Sequence, residues 1–584
     1  MAPKRKLGGI RIRLGLATKA RLSTGGADME GFLGKMYCKG KLSSLEVADG
    51  ARASGSLLAG GERLRRWARV AKSATTRKNA ARDLRREFNT HTDVPLVYEA
   101  EGVFWNRRLL EQYKAKVKFV LPFEVMMQFG SGFDVSEYNA LSDTQEGLRN
   151  DLAEWCQNLS ITDRGDIAVA SLWGDAAPYH SRGRDQVILF AWNIISGIWH
   201  RRYWLCAMGA RQACKCGCSG RCSFAIIWDV LAWVGRVCMT GVYPSCRHDG
   251  TPFSESTFAN DKRRAGLGGK PLPFKLAFLR ARGDWSWYKQ ALSLQGWANA
   301  SINSRTCWIC KATRRNMSEF SLTASWRATR LTHREYITEV YEQGRHLSGL
   351  FKLPAFQLKY VLIDLMHTGD LGVILDCIGN VFYENFRSSG GTAQRHAEPC
   401  SRILYLIKVV ARELQMPAPI NDLTIGMLRL RGGPPRLKVK AAEARDLLKI
   451  CLKMLQMFFP PNSEHDQTRF RCVETLYWFY MELDAWDPAT SPDRIASLAR
   501  RHCLLYAQLS FEQAPGSKTW RIFPKHHLFV HLAELATNNP RDDWAYADEA
   551  AIGVASTLAE SVHPTHLQRM LVVRWRVSCR IKQG

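Results

Sequence analysis

Short uninterrupted apolar runs in the first half of the chain predict buried β-strands. One run spans residues 167–173, a second lies within 186–195, and a third occupies most of 274–284. Runs of this length suit strands that are covered on both faces, because neither face then needs polar residues. A shorter run at 117–121 stops at Pro122, which cannot donate to a sheet ladder. The pattern therefore predicts several strands before residue 300.

The second half of the chain repeats apolar residues with the spacing of amphipathic helices. The stretch 355–535 is predicted to be mostly α-helical after Pro354, with a break at 432–435, where two glycines precede two prolines. Earlier helices are predicted over 145–159 and 224–237. The predicted helical segments of the second half are 355–385, 400–416, 438–459, 470–485 and 491–511.

Residues 1–90 differ from the rest of the chain. They are rich in Lys, Arg, Gly, Ala and Ser, and they open with the basic cluster Pro3-Lys4-Arg5-Lys6. A segment with so little apolar periodicity cannot bury enough surface to fold alone, so we expect a basic, mostly disordered arm. Its charge suits contact with phosphates, and the cluster is of the nuclear-localisation type. A solvated tail without a binding role is the alternative.

The net charge of the whole chain also favours a partner that carries phosphates. The 584 residues contain 82 Lys and Arg against 54 Asp and Glu, a formal net charge of +28. Such an excess attracts polyanions over a long range, so we expect DNA or RNA as a partner. A basic protein without a nucleic-acid partner is the alternative.

The chain contains 17 cysteines, whose role depends on whether the protein lies in a reducing or an oxidising compartment. No apolar signal-peptide region follows the basic N-terminus, and no run of about 18 uncharged apolar residues occurs, so we expect neither secretion nor a membrane span. The thiols should then lie in a reducing compartment, where close cysteine pairs bind metals more often than they form disulfides.

Three acidic residues lie at the ends of predicted strands or at the start of a predicted helix. Asp175 and Asp284 each come after an apolar run, and Glu549 lies where a helix is predicted to begin. Carboxylates on rigid strand ends can hold two Mg²⁺ (or Mn²⁺) ions for phosphodiester chemistry. A lone Asp after a strand is more often a turn residue or helix cap. Asp548 competes with Glu549, and Asp166 or Asp185 could replace Asp175.

A zinc site is predicted from two separated pairs. Cys307 and Cys310 have the C-x-x-C spacing that lets two thiolates reach one ion, and His527 and His531 lie four apart on one face of a helix. The alternatives are a redox role for the cysteines and a pair of histidines that simply belong to a helix. His526 is a further histidine next to His527, so the choice of the pair is ambiguous. One shared Zn²⁺ would cross-link segments about 220 residues apart. For a further group, Cys214, Cys216, Cys218 and Cys222, a second zinc site and an insertion without chemistry remain equally open.

The order of these pieces resembles the transposases of CACTA (En/Spm-like) DNA transposons. After the C-x-x-C pair comes Phe351-Lys-Leu-Pro354, then Asp364-Leu-Met-His367, then His527-Leu-Phe-Val-His531-Leu532 before the last acid. The order D, D, C-x-x-C, H…H, E is also similar to that of the Transib and V(D)J recombinase group. The resemblance covers about 170–560. The family's D-G segment after the first strand is Gly174-Asp175-Ala176 here, and its K-N-V is Asp370-Leu-Gly-Val373.

The resemblance implies an α/β fold with a large α insertion: a ribonuclease-H-like mixed sheet core, split by a mostly helical insertion, that cuts and joins DNA. It assigns catalysis to Asp175, Asp284 and Glu549 and zinc binding to Cys307, Cys310, His527 and His531. The resemblance also implies a nuclear protein that acts on transposon ends and target DNA. It implies a homo-oligomer as well. The expected divisions are an arm (1–90), a pre-core region (91–165), first core part with Cys-rich insertion (166–300), zinc-linked helical insertion (301–535) and last core part (536–584).

The sequence leaves two other functions open. One is a catalytically inactive, domesticated transposase that acts as a nucleic-acid-binding protein. The other is a zinc-stabilised interaction protein whose positive charge serves contacts with RNA. Convergence of the three carboxylates would favour the transposase lineage over the interaction protein.

Overall fold

The computed structural model describes most of the chain from residue 96 onward. The described ranges are 96–128, 145–163, 167–179, 185–195, 202–294, 301–392, 394–428, 433–514 and 516–560, with single positions and short pieces elsewhere. Nearly all of the predicted arm, and Asp166, lie outside them. The described part has a four-stranded mixed sheet, a two-stranded hairpin and many helices in its C-terminal half. The predicted combination of a mixed sheet with a helix-rich C-terminal half is thereby confirmed.

A hairpin precedes the main sheet. Strands β1 (Val97–Asn106) and β2 (Glu111–Val120) pair antiparallel. Burial alternates along β1, because successive side chains of a strand point to opposite faces. Pro122 ends the strand region as predicted and opens the short helix α1 (Pro122–Met126). Helix α2 (Glu146–Asn158) lies where the sequence predicts one.

The main sheet contains the three predicted apolar runs. Its strands are β3 (Ile167–Pro178), β4 (Gln186–Ile194), β5 (Tyr203–Gly209) and β6 (Lys275–Gly283), in the spatial order β5-β4-β3-β6. Strands β3, β4 and β5 form an antiparallel meander, and β6 returns parallel to β3. Nearly every residue of these strands is buried, which explains their continuous apolar character.

Helix α3 (Arg221–Thr240) follows the meander, and the short helix α4 (Asp261–Ala265) lies between α3 and β6. Among the described residues, α3 is the one helix long and apolar enough to cross a membrane. Its most apolar window is 67% buried, and it packs against β1 and β6. These contacts are those of a core helix.

The region after Pro354 departs from the predicted single helix over 355–385. A 3-10 turn at Leu358–Tyr360 leads to Val361, which forms a parallel bridge with Ala281 of β6. A π-helix (Met366–Ile374) follows, and only then does an α-helix begin. The reason is that the apolar residues at 361–363 extend the sheet edge. This sheet contact falls inside the segment 301–535.

Ten further α-helices follow β6 in the part of the chain that the structure describes. Helix α14 (Tyr546–Glu560) packs on β3 and β4, and helix α13 (Pro524–Glu534) packs on helix α12 (Ser491–Phe511) and on the π-helix. The helices are α5 (Trp285–Gln290), α6 (His333–Glu342), α7 (Leu375–Ser388), α8 (Ala397–Glu413), α9 (Ile425–Leu428), α10 (Ala441–Phe458), α11 (Glu464–Asp484), α12 (Ser491–Phe511), α13 (Pro524–Glu534) and α14 (Tyr546–Glu560).

Candidate active site and metal centre

The register between β3 and β6 places two acids side by side. Gly174 pairs with Gly283, so Asp175 and Asp284 each follow one member of this pair. Asp284 comes directly after β6 and caps α5, where its carboxylate accepts a 2.6 Å hydrogen bond from the Trp287 backbone N–H. Asp175 lies within β3, which continues to Pro178, and not at the strand end that the apolar run predicts. The strand is longer because β4 pairs with it as far as Pro178.

The two glycines are required by a close approach of Trp287. A Cβ atom built on Gly174 would lie 2.2 Å from the Trp287 ring, and one on Gly283 would lie 2.6 Å from it. Both distances are far below van der Waals contact. The indole therefore occupies space that side chains on these two strands would otherwise fill, next to the positions of both acids.

Glu549 joins the two aspartates from the far end of the chain. It lies in the first turn of α14, the helix that packs on β3 and β4. Burial, together with the nearby charges of Asp284 and Glu549, raises the pKa of Asp175 to about 8. The structure thus brings together the three acids that the sequence predicts. Their mutual repulsion is the condition that a bound cation relieves.

The spacing of the acids differs from that of a single compact ion site. Among the described residues, only two groups bring three or more ligand atoms within 4.8 Å of one another, and both contain cysteines. The three carboxylates are spread more widely. Wide spacing suits ligands divided between two cations, since two such ions lie roughly 3.5–4 Å apart.

Asp364 and His367, whose role the sequence does not reveal, hold Glu549 in place. Asp364 accepts hydrogen bonds from His367 Nδ1 at 2.6 Å and from the Ala545 backbone N–H at 2.8 Å. His367 Nε2 lies 3.3 Å from Glu549 Oε1. Burial opposes a charge on His367, but its hydrogen bonds to Asp364 and Glu549 outweigh this and raise its pKa to about 10. A cationic His367 thus links the D-x-M-H segment to the third acid.

Asp548 and Asp185, the competitors for the acidic positions, have other partners. Asp548 is buried and forms ion pairs with Arg202 and Arg282, while Asp185 pairs with Arg211. Glu549 is 39% exposed, so it can reach a substrate, whereas the side chain of Asp548 is only 6% exposed. The geometry therefore favours Glu549 as the third acid.

Substitution should separate the roles of the two neighbouring acids. Asp548→Asn removes the counter-charge of two largely buried guanidinium groups and should cost about 3–5 kcal/mol of stability. Glu549→Gln removes a carboxylate that is 39% exposed and leaves His367 paired with Asp364, so it should lower the melting temperature much less. Thermal denaturation of both variants measures the difference. A Glu549→Gln protein that melts lower than Asp548→Asn would reverse the assignment.

The predicted zinc ligands converge. The ligand atoms of Cys307, Cys310, His527 and His531 all lie within 4.8 Å of one another, and all four residues are buried. The Cys310 sulfur is 3.2 Å from His527 Nε2 and 3.3 Å from His531 Nε2, and the two Nε2 atoms are 3.1 Å apart. Tetrahedral Zn²⁺ with bonds of about 2.0–2.3 Å would place these atoms only slightly farther apart. The four residues fit one zinc ion.

The thiols and imidazoles of this group shift one another's pKa values. Burial opposes a thiolate at Cys307, but hydrogen bonding from Cys310 and the interactions with His531 and His527 outweigh it and hold the pKa of Cys307 well below its usual range. The hydrogen bond to Cys307, together with burial, raises the pKa of Cys310, and burial lowers the pKa of His531. Zn²⁺ binds thiolates and neutral imidazoles, so its charge would be needed to hold both thiols deprotonated. The Trp326 ring packs edge-on against both histidines.

The cysteine loop is in contact with the helix that Asp284 caps. Trp308, between the two cysteines, packs against Trp285 and Tyr288 of α5. The Tyr288 hydroxyl in turn donates to the backbone oxygens of Ala281 and Leu362. The zinc ligands and the second acid thus share one buried aromatic support.

Several residues of the site are not identified from the sequence. Arg282 lies buried in β6 and pairs with Asp548, and Lys525 donates to the backbone oxygen of His367 at 2.6 Å. The only sequence signal for Arg282 is a charged residue within an apolar strand, two positions before Asp284. A buried charge needs a partner, so an arginine in this strand predicts an acidic partner but does not identify it.

The second compact group consists of Cys214, Cys216, Cys218 and Cys222. Both groups could hold zinc. No protein-family model matches this chain, and no curated protein matches it significantly.

Proposed function

We propose that this chain is a DDE-type DNA transposase-like enzyme that cuts and joins DNA with the help of divalent metal ions. The observation that carries the proposal is the convergence of Asp175, Asp284 and Glu549. Asp175 lies within β3, Asp284 directly follows the neighbouring strand β6, and Glu549 is on a helix packed against the same sheet. This is the arrangement expected of the ribonuclease-H-like core that the resemblance implies.

The three carboxylates fit divalent cations. They are partly or mostly buried, Asp284 and Glu549 repel Asp175, and the cationic His367 lies beside Glu549. Asp175, Asp284 and Glu549 would hold Mg²⁺ or Mn²⁺ through oxygen atoms, which these ions prefer. Bound in this way, the ions would neutralise charge on the attacking and leaving oxygens of a phosphodiester.

The chain's own residues position this chemistry. Asp364 fixes the start of α14 through Ala545 and orients His367, and His367 holds the Glu549 carboxylate. Trp287 packs against Gly174 and Gly283, so it restrains the backbone on which both aspartates lie. A site held to this degree needs little reorganisation when the substrate binds.

Zinc would have a structural task in this proposal. Cys307 and Cys310 come from a loop near the sheet, and His527 and His531 come from α13. All four positions of a tetrahedral ion would be filled by protein, which leaves none for a substrate. We propose that this Zn²⁺ joins the helical region to the core.

The charge of the chain supports DNA as the partner. A net charge of +28 and a basic arm at 1–90 favour contact with phosphates, and the basic cluster at 3–6 favours a nuclear location. A homo-oligomer would allow two DNA ends to be processed together. The target sequence is then read by contacts other than those of the metal site.

The test is a cleavage assay with the full chain. The probe is a DNA duplex that contains the genomic sequences flanking this coding region, incubated with Mg²⁺ or Mn²⁺ and, as a control, with Ca²⁺. We expect metal-dependent nicks with free 3′-hydroxyl groups, followed by joining to a second duplex. Binding without cleavage in either metal would favour a domesticated DNA-binding protein. Neither binding nor cleavage would favour a zinc-stabilised interaction protein.

A further inference from the structure

Four thiols meet where the loop after β5 leads into α3. The sulfur atoms of Cys214, Cys216, Cys218 and Cys222 all lie within 4.8 Å of one another. Cys214 is buried, Cys218 and Cys222 are partly buried, and Cys216 is exposed. These residues are not part of the carboxylate site or of the cluster formed by Cys307.

The backbone of this loop turns sharply enough to gather the thiols. Gly217, Ser219 and Gly220 have positive φ angles of 90°, 53° and 88°. In an extended chain, alternate residues lie on one face but are spaced nearly 7 Å apart, so three thiols could not meet. The left-handed turns fold the chain back, and Cys222 joins from the first turn of α3. The strained position at Ser219 shows that a specific local shape is maintained.

The distances suit a tetrahedral sulfur site. The sulfurs of Cys216 and Cys222 are 3.8 Å apart. A zinc ion with four bonds of about 2.3 Å separates its sulfur ligands by about 3.8 Å. The amide of Gln112 donates to the Cys214 sulfur at 3.1 Å and faces the Cys222 sulfur at 3.7 Å. Such outer hydrogen bonds commonly orient metal-bound thiolates.

Part of the loop is exposed. Apart from a 3-10 turn at Ala210–Gln212 it contains no regular element before α3, and its Lys215, Cys216, Gly217 and Ser219 are exposed. A bound metal ion would order this exposed part in addition to the hydrogen bonds of Cys214.

The thiol cluster is tied to the end of the hairpin. Gln112 belongs to β2, where it pairs with Trp105 of β1. Ser223, next to Cys222, donates to the Val103 backbone oxygen at 2.6 Å and accepts from the Cys214 backbone N–H at 2.9 Å. The turn that closes the hairpin is exposed, with Leu109 at 65% and Leu110 at 71%. What fixes the cysteine loop therefore also fixes this end of the hairpin.

We propose that Cys214, Cys216, Cys218 and Cys222 form a second, purely structural Zn²⁺ site that anchors the β1–β2 hairpin to the start of α3. The proposal does not depend on the carboxylate site. The protein should then contain two zinc ions of different ligand sets, one with four sulfurs and one with two sulfurs and two nitrogens.

Metal analysis of the full chain, purified under reducing conditions, tests the number of sites. The wild type should contain two zinc ions per chain, and the double variant Cys216→Ser/Cys222→Ser should contain one. Cys246→Ser is the matched control, since Cys246 is a partly buried cysteine outside both groups and its loss should leave two. A wild type with a single zinc ion that persists in the double variant would overturn the proposal.

Two further measurements keep the proposal testable if the double variant does not fold. Cobalt substitution of the wild type should give the absorption of a four-sulfur site together with that of a mixed site. Intact-mass and peptide mapping under non-reducing conditions should show four free thiols after metal removal. A disulfide within this group, or a cobalt spectrum of the mixed site alone, would contradict a second zinc.

A folded double variant gives one more readout. Amide hydrogen exchange at 106–112 should accelerate several-fold relative to wild type and to Cys246→Ser, while exchange in β3 and β6 stays unchanged. Unaltered exchange in the hairpin would show that the cluster does not anchor it.

Discussion

Asp175→Asn should abolish Mg²⁺-dependent DNA cleavage while leaving DNA binding nearly intact. The change keeps the shape of the side chain but removes a metal ligand whose pKa is raised by burial and by the two other acids. Loss of one group that stabilises charge in a transition state costs about 10²–10³-fold in rate, and loss of a shared metal ligand should cost at least as much. Cleavage rates and a filter-binding or gel-shift affinity measured on the same DNA separate the two effects.

Asp185→Asn is the matched control for this experiment. Asp185 lies just before β4 and pairs with Arg211, outside the carboxylate cluster, so its replacement should keep cleavage. The melting temperature adds a second criterion. Asp175→Asn should melt no lower than wild type in the absence of metal, because burial and the two neighbouring acids already disfavour the charged form of Asp175 and Asn is neutral at every pH. Loss of cleavage in both variants, or a large loss of stability in Asp175→Asn, would argue against a metal-binding role.

Cys307→Ser should remove the Cys2His2-bound zinc and strongly destabilise the protein. Structural zinc contributes about 10–16 kcal/mol of binding free energy in zinc-finger peptides, so losing one of four ligands should cost at least several kcal/mol here. The ligands come from segments 217 residues apart in sequence, and the loop they close is therefore large. Zinc content and thermal denaturation, each with and without a chelator, measure the effect.

Cys503→Ala serves as the control for the zinc variant. Cys503 is a buried cysteine of α12 whose thiol contacts the backbone of α13 at His526, close to the zinc ligands but not among them. This variant should retain its zinc and lose only the packing of one sulfur atom. The hypothesis fails if Cys307→Ser keeps the metal at this site, or if it loses the metal without any change in stability.

The parts of the fold that the sequence predicts are those where local pattern and burial agree. The three apolar runs form β3, β4 and β6 because both faces of the sheet are covered. The helices predicted over 400–416, 438–459 and 491–511 lie close to their predicted bounds, since their apolar stripes face a shared core. The helix predicted over 470–485 begins earlier, at Glu464, and the one predicted over 355–385 is replaced by a 3-10 turn, a π-helix and a later α-helix. Strand β1 is missed, although its alternation of buried and exposed positions from Val97 to Phe104 carries a period-two signal.

The parts that the sequence does not reveal depend on contacts between distant residues. Asp548 and Glu549 are adjacent and chemically similar, and only the positions of Arg202 and Arg282 distinguish them. The role of His367 likewise depends on a glutamate far along the chain. Periodicity describes one element at a time, so it cannot supply such pairings.

The pairing of Arg282 with Asp548 has a consequence for how the protein is made. The two residues are 266 positions apart, so a ribosome releases the buried arginine of β6 long before its partner. Until α14 arrives, the nascent sheet holds an arginine without its main counter-charge, and it also lacks Glu549. A chain that is broken off early therefore cannot complete its metal site, and it should be recognised and degraded as a poorly folded product. If the chain cuts DNA as proposed, it becomes competent only when α14 is in place.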